Sequence, residues 1–328
     1  MYKIAVIAGG DSGEYEISLK TADNIFNQLD RTIFDPYLIL IKGSNWCYIG
    51  SNGKQYHIDK NDFSLEIEGI KIKFDAVFIA IHGTPGENGK LQSYFDMIKM
   101  PYTGSGSFSS ALTFNKFYCN LAVKQLGIPV SPSLHFYDNE EVNYNQIEDV
   151  CGYPCFVKSC NSGSSVGVVK VRCKEEIKAA FDEAFKYDNQ LVVEKMVYGR
   201  EMTCGVTSVY GEIKMLAVTE VVANNEFYDY DAKYTDAGHK LLTPANITQE
   251  SQEILKKYSE MIFQKLDCKG VVRVDFILEE KTNIPYFLEI NTIPGMTALS
   301  IIPEQVKFND FDIKQFYTKL IEEVLNKK

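Results

Sequence analysis

This chain of 328 residues is short of positive charge, with 34 Lys and Arg against 44 Asp and Glu, a net charge of -10 and a pI near 5.1. That balance argues against general binding of nucleic acid or anionic membranes, so any anionic ligand must be held by locally placed lysines. Histidine is scarce: His57, His82, His135 and His239 are the whole set, and none lies at metal-ligand spacing from another. The eight cysteines form no CxxC, and Cys151 and Cys155 are the closest pair. A zinc site is therefore disfavoured, and reduced thiols of a cytoplasmic protein are the default reading. No stretch approaches the roughly 18 apolar residues of a membrane helix, and the opening MYKIAVIAGG is too short an apolar run for a signal peptide. A Walker A motif is missing too, because Gly83 to Gly89-Lys90 is one residue too long and is followed by Leu91. There is no GxGxxG, no internal repeat and no low-complexity segment.

What is present is an ordinary globular composition, 45% hydrophobic and 24% charged, long enough for two or three domains. The first hundred residues alternate strand and helix: KIAVIAG, then EISLKTADNIFNQL at helical spacing, then YLILI and AVFIAI. This is the pattern of a parallel sheet with crossover helices. The spacing predicts one helical stretch from about Ser107 to Gln125, a β-rich region from about Val130 to Val197, and strands again from Gly199. A long polar, aromatic stretch runs from Asn224 to Thr243, the kind of loop that often serves as a lid. The expected division is 1–104, 105–198 and 199–328, three α+β units in series.

Two short runs near the C-terminus are the most informative, Arg273-Val274-Asp275 and Glu289-Ile290-Asn291-Thr292-Ile293-Pro294-Gly295. Residues i and i+2 of a strand face the same way, so Arg273 shares a face with Asp275, and Glu289 with Asn291. The segment between them is apolar at both ends and turn-like from Glu280 to Asn283, which reads as a hairpin. A register pairing Asp275 with Glu289 also pairs Arg273 with Asn291. Three hard oxygen ligands and a guanidinium then meet, a set that suits Mg²⁺ and a transferring phosphoryl group. A solvated polar face with a surface ion pair is the plainer reading of the same residues.

Other stretches are ambiguous taken singly. Lys158-Ser159-Cys160-Asn161-Ser162-Gly163-Ser164-Ser165-Val166-Gly167 lies between two strand-like runs. Its small residues let backbone N–H groups approach a phosphate, the hydroxyls of Ser164 and Ser165 add donors, and Lys158 aims at the loop. A hairpin turn explains it equally well. Glu194-Lys195-Met196-Val197 with Glu201 could offer an edge to adenine and ribose, or be a plain hinge. Lys116 is either a phosphate ligand or a solvated helix lysine. Lys233 and Tyr234 in the long loop would bring a charge and a hydroxyl to phosphates, or the aromatic loop could bind a partner protein. Glu16, in the run GGDSGEYEIS after the first strand, is either a helix-dipole partner or a partner for a substrate ammonium. His82 opens HGTPGENGKLQ at the end of another strand, where a simple Gly/Pro turn does not account for a histidine and a glutamate.

In order and spacing, HGTPGENG, GSSVG, YDYDAKY and RVD with EINTIPGM resemble the D-alanine–D-alanine ligases of the ATP-grasp superfamily, from Ala8 to about Pro303. The resemblance implies a three-domain α/β (α+β) ATP-grasp fold whose N-terminal domain is a parallel α/β unit, with ATP and metals between the other two. It implies phosphate contacts from Lys116, Lys158, Ser165 and Lys233, adenine contacts from Glu194, Lys195 and Val197, and a ribose contact from Glu201. Asp275, Glu289 and Asn291 match the ligands of two Mg²⁺, with Mn²⁺ as a substitute. Glu16, Ser164 and Tyr234 match the set that positions the first D-alanine, His82 lies near it, and Ser300 with the Ile301 amide matches the site for the second carboxylate. Arg273 and the Gly295 amide are placed for the oxyanion. A homodimer and a role in cell-wall precursor synthesis follow from the resemblance alone. The departures are Ser159 for a usual proline, Tyr15 for a basic residue and Asn88 for aspartate. A D-alanine–D-lactate ligase and a catalytically silent nucleotide-binding relative are the alternatives, and Tyr234 favours the dipeptide type over the first.

Overall fold

The computed structural model describes residues 1–163, 166–223 and 239–326. The chain begins with β1 (Tyr2–Gly9), α1 (Tyr15–Gln28), β2 (Phe34–Lys42), β3 (Asn45–Ile49), β4 (Gln55–Asp59), β5 (Ser64–Ile67), β6 (Ile70–Ile72), β7 (Ala76–Ile79) and α2 (Lys90–Met97). These strands form a seven-stranded sheet in the order β6-β5-β4-β3-β2-β1-β7. As expected, β1 is parallel to both β2 and β7. It is buried from Ile4 to Gly9, which is why it reads as an unbroken apolar run. The crossover from β2 to β7 differs from expectation: an antiparallel meander, β3 to β6, takes the place of a helix. Strands of three to five residues are too short to show a period in sequence.

Next come α3 (Ser107–Phe114), α4 (Lys116–Gln125), β8 (Ser133–Tyr137), α5 (Tyr144–Val150), β9 (Cys155–Ser159), β10 (Val168–Val171), α6 (Ile177–Ala184) and β11 (Gln190–Lys195). The strands make an antiparallel sheet in the order β10-β9-β11-β8. The single helix expected over 107–125 is two. Asn115 between them is extended and its side chain accepts from the Tyr118 N–H, so an N-cap replaces a helical turn. The Lys116 N–H then bonds the Cys160 carbonyl at 3.0 Å, fastening the start of α4 to the end of β9.

The last third holds β12 (Gly199–Thr207), β13 (Lys214–Ala223), β14 (His239–Leu242), α7 (Gln249–Lys265), β15 (Val271–Glu279), β16 (Pro285–Asn291), α8 (Ile301–Phe308) and α9 (Ile313–Leu325). Its sheet runs β14-β13-β12-β15-β16. The end of the stretch expected to be a loop is thus a strand, while residues 224–238 lie outside the described set. The β15–β16 register is the expected one, with Arg273 opposite Asn291 and Asp275 opposite Glu289. Among the described residues no helix is long and apolar enough to cross a membrane.

Packing ties the units together. Phe316, Tyr317, Leu320 and Ile321 of α9 share one buried cluster with Ile4, Val6, Ala76 and Phe78 of the first sheet. Cys119 and Val123 of α4 belong instead to the core of the five-stranded sheet, with Val272, Val274 and Phe276. Helix α8 is anchored by Gln305, which is fully buried. Its amide accepts from the Gly205 N–H at 2.9 Å, beside a register shift in β12, and donates to the Thr203 carbonyl and the Thr219 hydroxyl. Gln305→Leu keeps the bulk but strands these polar groups. It should lower unfolding stability by about 2–4 kcal/mol, read as a lower denaturant midpoint at unchanged slope.

Candidate active site

All three sheets reach one cleft of about 750 Å³. Glu14, His82 and Glu87 line it from the first sheet's end, Gly163 from the small-residue loop, and Glu201, Arg273, Glu289 and Asn291 from the last sheet. The segment Ile293–Ile302 closes the floor, carrying Gly295, Ser300 and Ile301. An adjoining space shares Glu87, Gly163, Glu289 and Asn291 with this cleft and adds Lys116, Asn120 and Ser162.

The hairpin face behaves as its register demands. Asp275 is almost fully buried and needs a cationic partner, which Arg273 supplies from two residues away. The Arg273 Nε lies 3.1 Å from both Asp275 oxygens and its Nη2 lies 2.8 Å from Oδ2. The Asn291 amide donates to the same Oδ2 at 3.2 Å, and Glu289 stands 3.9 Å from the guanidinium. Two carboxylates and an amide oxygen make a sparse, hard donor set. Among the described residues there is no group of three or more His, Cys, Asp or Glu that could cage a metal alone. This fits Mg²⁺, which keeps waters and completes its shell with substrate phosphates.

The two lysines are held differently from expectation. Lys158 does not aim at the small-residue loop; its ammonium pairs with Glu194 Oε2 at 2.5 Å, and Asn120 donates to Glu194 Oε1 at 2.8 Å. The pairing follows from burial, since neither charge could stay at that depth uncompensated. It is Lys116 that holds the loop, donating to the Ser162 carbonyl. Burial pushes the Lys116 ammonium below its usual range, and the Glu289 charge opposes that shift. Lys195 is exposed, with its N–H on the Pro132 carbonyl at 2.9 Å and its own carbonyl accepting from the Ser131 hydroxyl. The edge expected to offer free backbone groups to adenine is therefore engaged at Lys195. Val197 follows half-buried, and Glu201 reaches the cleft from β12.

The first unit requires one correction. Glu16 is exposed on α1 and is not among the cleft residues; the carboxylate in the cleft is Glu14. Glu14 occupies the N-cap position, just before the helix turns away, and is buried beside the small-residue loop. A methyl group on Gly163 would sit 2.6 Å from its Oε2, so any larger residue there would displace the carboxyl group. His82 is buried and fully engaged. Because a carbonyl only accepts, Nδ1 carries the proton and donates to the Ile293 carbonyl at 2.9 Å, leaving Nε2 to accept from the Thr21 hydroxyl at 2.9 Å. Burial lowers its pKa and keeps it neutral. Glu87 accepts from the Gly83 N–H at 2.7 Å and the Ile293 N–H at 3.4 Å. Burial, helped by the Glu14 charge, pushes its pKa up to about 8. Ser300 occupies the N-cap position of α8 without a side-chain capping bond, its Oγ instead accepting from the Thr297 N–H at 3.1 Å. Ile301 opens that helix, where N–H groups have no intrahelical partner. Ser164, Ser165, Lys233 and Tyr234 lie outside the described residues.

Glu14 is the site residue that sequence reasoning passed over, and Glu87 was noted beside His82 without a role. Both sit in motifs that were singled out, and the signal for Glu14 was its place at the strand's C-terminal end rather than inside the helix. The proton on Glu87 has a consequence for stability. The folded state binds it more tightly than the unfolded chain, whose carboxyl has the ordinary value of 4.5, so this contribution is complete below 4.5 and is lost as pH rises towards 8. The stability of the native sequence relative to Glu87→Gln should therefore fall between pH 5 and 8 and flatten above it, as urea midpoints across that range will show.

The D-ala D-ala ligase N-terminus family model matches residues 3–105, and the D-ala D-ala ligase C-terminus model matches residues 122–322. The D-alanine--D-alanine ligase of Parabacteroides distasonis is 43% identical over 325 residues, covering 99% of this chain and 98% of that protein. Among solved structures, D-alanyl-alanine synthetase A from Vibrio cholerae superposes with a TM-score of 0.90 at 30% identity, over 99% of this chain and 98% of that one. The VanG D-Ala:D-Ser ligase from Enterococcus faecalis does so with a TM-score of 0.88 at 33% identity, over 98% of each chain. With the cleft built as described and both halves matched, this chain belongs to the D-alanine–D-alanine ligase family, with its ATP-grasp fold.

Proposed function

We propose that this chain joins two D-alanine molecules, with ATP consumed to ADP and phosphate, through a D-alanyl phosphate intermediate, supplying the dipeptide for peptidoglycan precursors in the cytoplasm. The observation that carries this reading is the β15–β16 pairing, which sets Arg273, Asp275, Glu289 and Asn291 in one cleft with Glu14 and Gly295. The segments 1–104, 105–198 and 199–328 each give this cleft a wall.

Glu14, rather than Glu16, is the partner for the first D-alanine's ammonium in this reading. The carboxylate of that first D-alanine attacks the γ-phosphorus of ATP, and ADP leaves. Asp275, Glu289 and Asn291 would hold the two Mg²⁺, or Mn²⁺ in their place, which when bound neutralise the phosphate charge. Lys116 and Lys158 supply further positive charge, the second by exchanging Glu194 for phosphate. Ser165 and Lys233 add phosphate contacts, Glu194, Lys195 and Val197 border adenine, and Glu201 meets ribose. The amine of the second D-alanine, its carboxylate held by Ser300 and the Ile301 N–H, attacks the activated carbonyl. Arg273 and the Gly295 N–H receive the oxyanion, and phosphate leaves as the peptide bond forms. Ser164 and Tyr234 keep their place beside the first substrate, and the neutral His82 stands behind it. The likeness to a D-Ala:D-Ser ligase makes the second substrate the point to test.

ADP release with D-alanine and Mg²⁺ should exceed release without D-alanine. Its absence would sink the ligase reading, and faster release with D-serine or D-lactate added would move the second substrate. Glu289→Gln should abolish turnover with thermal stability retained; surviving activity would overturn the metal assignment. Glu14→Gln should lose at least about a hundredfold in kcat/KM, while Glu16→Gln stays near the native value. The reverse pattern would return the role to Glu16.

A further inference from the structure

The amide of Gly295 can stabilise an oxyanion only if it points the right way, and the chain around it is soft. Gly295 has no side chain to limit its backbone, and a methyl group there would lie 2.9 Å from Ser300 Oγ. Something outside the loop must fix it. Two carbonyls flank this amide, those of Ile293 and Met296; groups of the first unit hold both, joined at Met296 by Tyr317 of α9. The Ile293 carbonyl accepts from His82 Nδ1 at 2.9 Å, with the ring locked by the Thr21 hydroxyl at 2.9 Å. The Met296 carbonyl accepts from Asn24 Nδ2 at 2.6 Å and from the buried Tyr317 hydroxyl at 3.2 Å, and Asn24 also donates to that hydroxyl at 3.2 Å. Thr21 and Asn24 are three apart on α1, so one helix face addresses both carbonyls.

We propose that α1 orients the oxyanion amide: Asn24 through the Met296 carbonyl, and Thr21 with His82 through the Ile293 carbonyl, act as positioning residues for Gly295. This rests on the ligase reading and goes beyond it, since it gives roles to Thr21 and Asn24 and makes His82 a strut rather than a substrate ligand. Pro294 between the anchors has its φ fixed by its ring, so two held carbonyls leave few ways for the Gly295 N–H to turn. The amide serves the tetrahedral state more than either bound substrate. Disturbing it should therefore lower kcat and spare KM.

Asn24→Asp is the sharpest variant, because it keeps the shape and replaces the shorter of the two donors to Met296 with an acceptor. We expect kcat to fall on the order of tenfold, with KM for both D-alanines within about twofold. Thr21→Val, which frees the ring at the other anchor, should show the same split. In the ligand-free protein, amide hydrogen exchange across 293–297 should quicken in both variants, with exchange in β1 and β7 unchanged. Unchanged kcat in a folded Asn24→Asp, a rise in KM at constant kcat, or native exchange in that segment would overturn the proposal. The exchange measurement needs no turnover. An inactive native chain would thus refute the ligase reading, while the brace is still judged by exchange.

Discussion

A one-residue slip of either strand of the β15–β16 pair would turn that strand's polar pair, Arg273 with Asp275 or Glu289 with Asn291, into the core of the last sheet. The strand period of two makes that outcome all or nothing, and Val272, Val274 and Phe276, each fully buried, hold the other face in place. The register is therefore fixed by apolar burial, and the polar face inherits its geometry at no further conformational cost. Asp275 gains its cation from two residues along the same strand, so the most buried acid of the site is neutralised locally. Glu289 is more open and stands farther from the guanidinium, at 3.9 Å.

The rest of the cleft meets this face because of packing elsewhere. Helix α9 lies in the hydrophobic cluster of the first sheet, so the chain's last helix draws the segment that carries Gly295 towards β1 and β7. Gln305 pins α8 to the opposite side of the same segment. Charges are treated in a similar way. A chain of net charge -10 must hold an anionic nucleotide with a few cations, and those cations need partners before it arrives. Lys158 rests on Glu194 and Arg273 on Asp275, while Lys116 holds a carbonyl. In the proposed reaction, nucleotide and metal would exchange partners with groups that are already desolvated, which would limit the reorganisation that binding requires.

Much of this was legible in the chain, for identifiable reasons. The hairpin could be read because alternation and a turn are local properties, and its register followed from them. Four ordered motifs identified the family. Glu14 was missed because the reading placed the acid inside the helix, whereas α1 begins at Tyr15 and leaves Glu14 facing the strand ends. A difference of two positions rotates a side chain from the cleft to solvent. The helix break at Asn115 turned on one side chain preferring to cap rather than continue. The meander β3 to β6 has strands too short to declare themselves. Lys158 was assigned to the loop it precedes, since nothing local announces a partner in β11. Asn24 gave no signal at all, because its contact with Met296 spans 272 positions.

The first unit brings three ionisable groups to one small volume, and their arrangement decides which of them can carry charge. His82 is deprived of water and has both nitrogens engaged, which keeps it neutral. Glu87 is equally buried, and two backbone N–H groups do not outweigh desolvation and the nearby Glu14 charge, so it holds a proton at neutral pH. Both residues use their polarity inward, on Ile293 and Gly83. Glu14 lines the cleft opposite Gly163, beside His82 and Glu87. An ammonium entering there would meet the Glu14 carboxyl group with two neutral struts behind it. Those struts end on the peptide that leads into Pro294 and Gly295. The group that would seat the first substrate and the amide that would receive the oxyanion are thus built on a shared rigid base. Their separation is set by the fold rather than by the substrate, which is the preorganisation that acyl transfer requires.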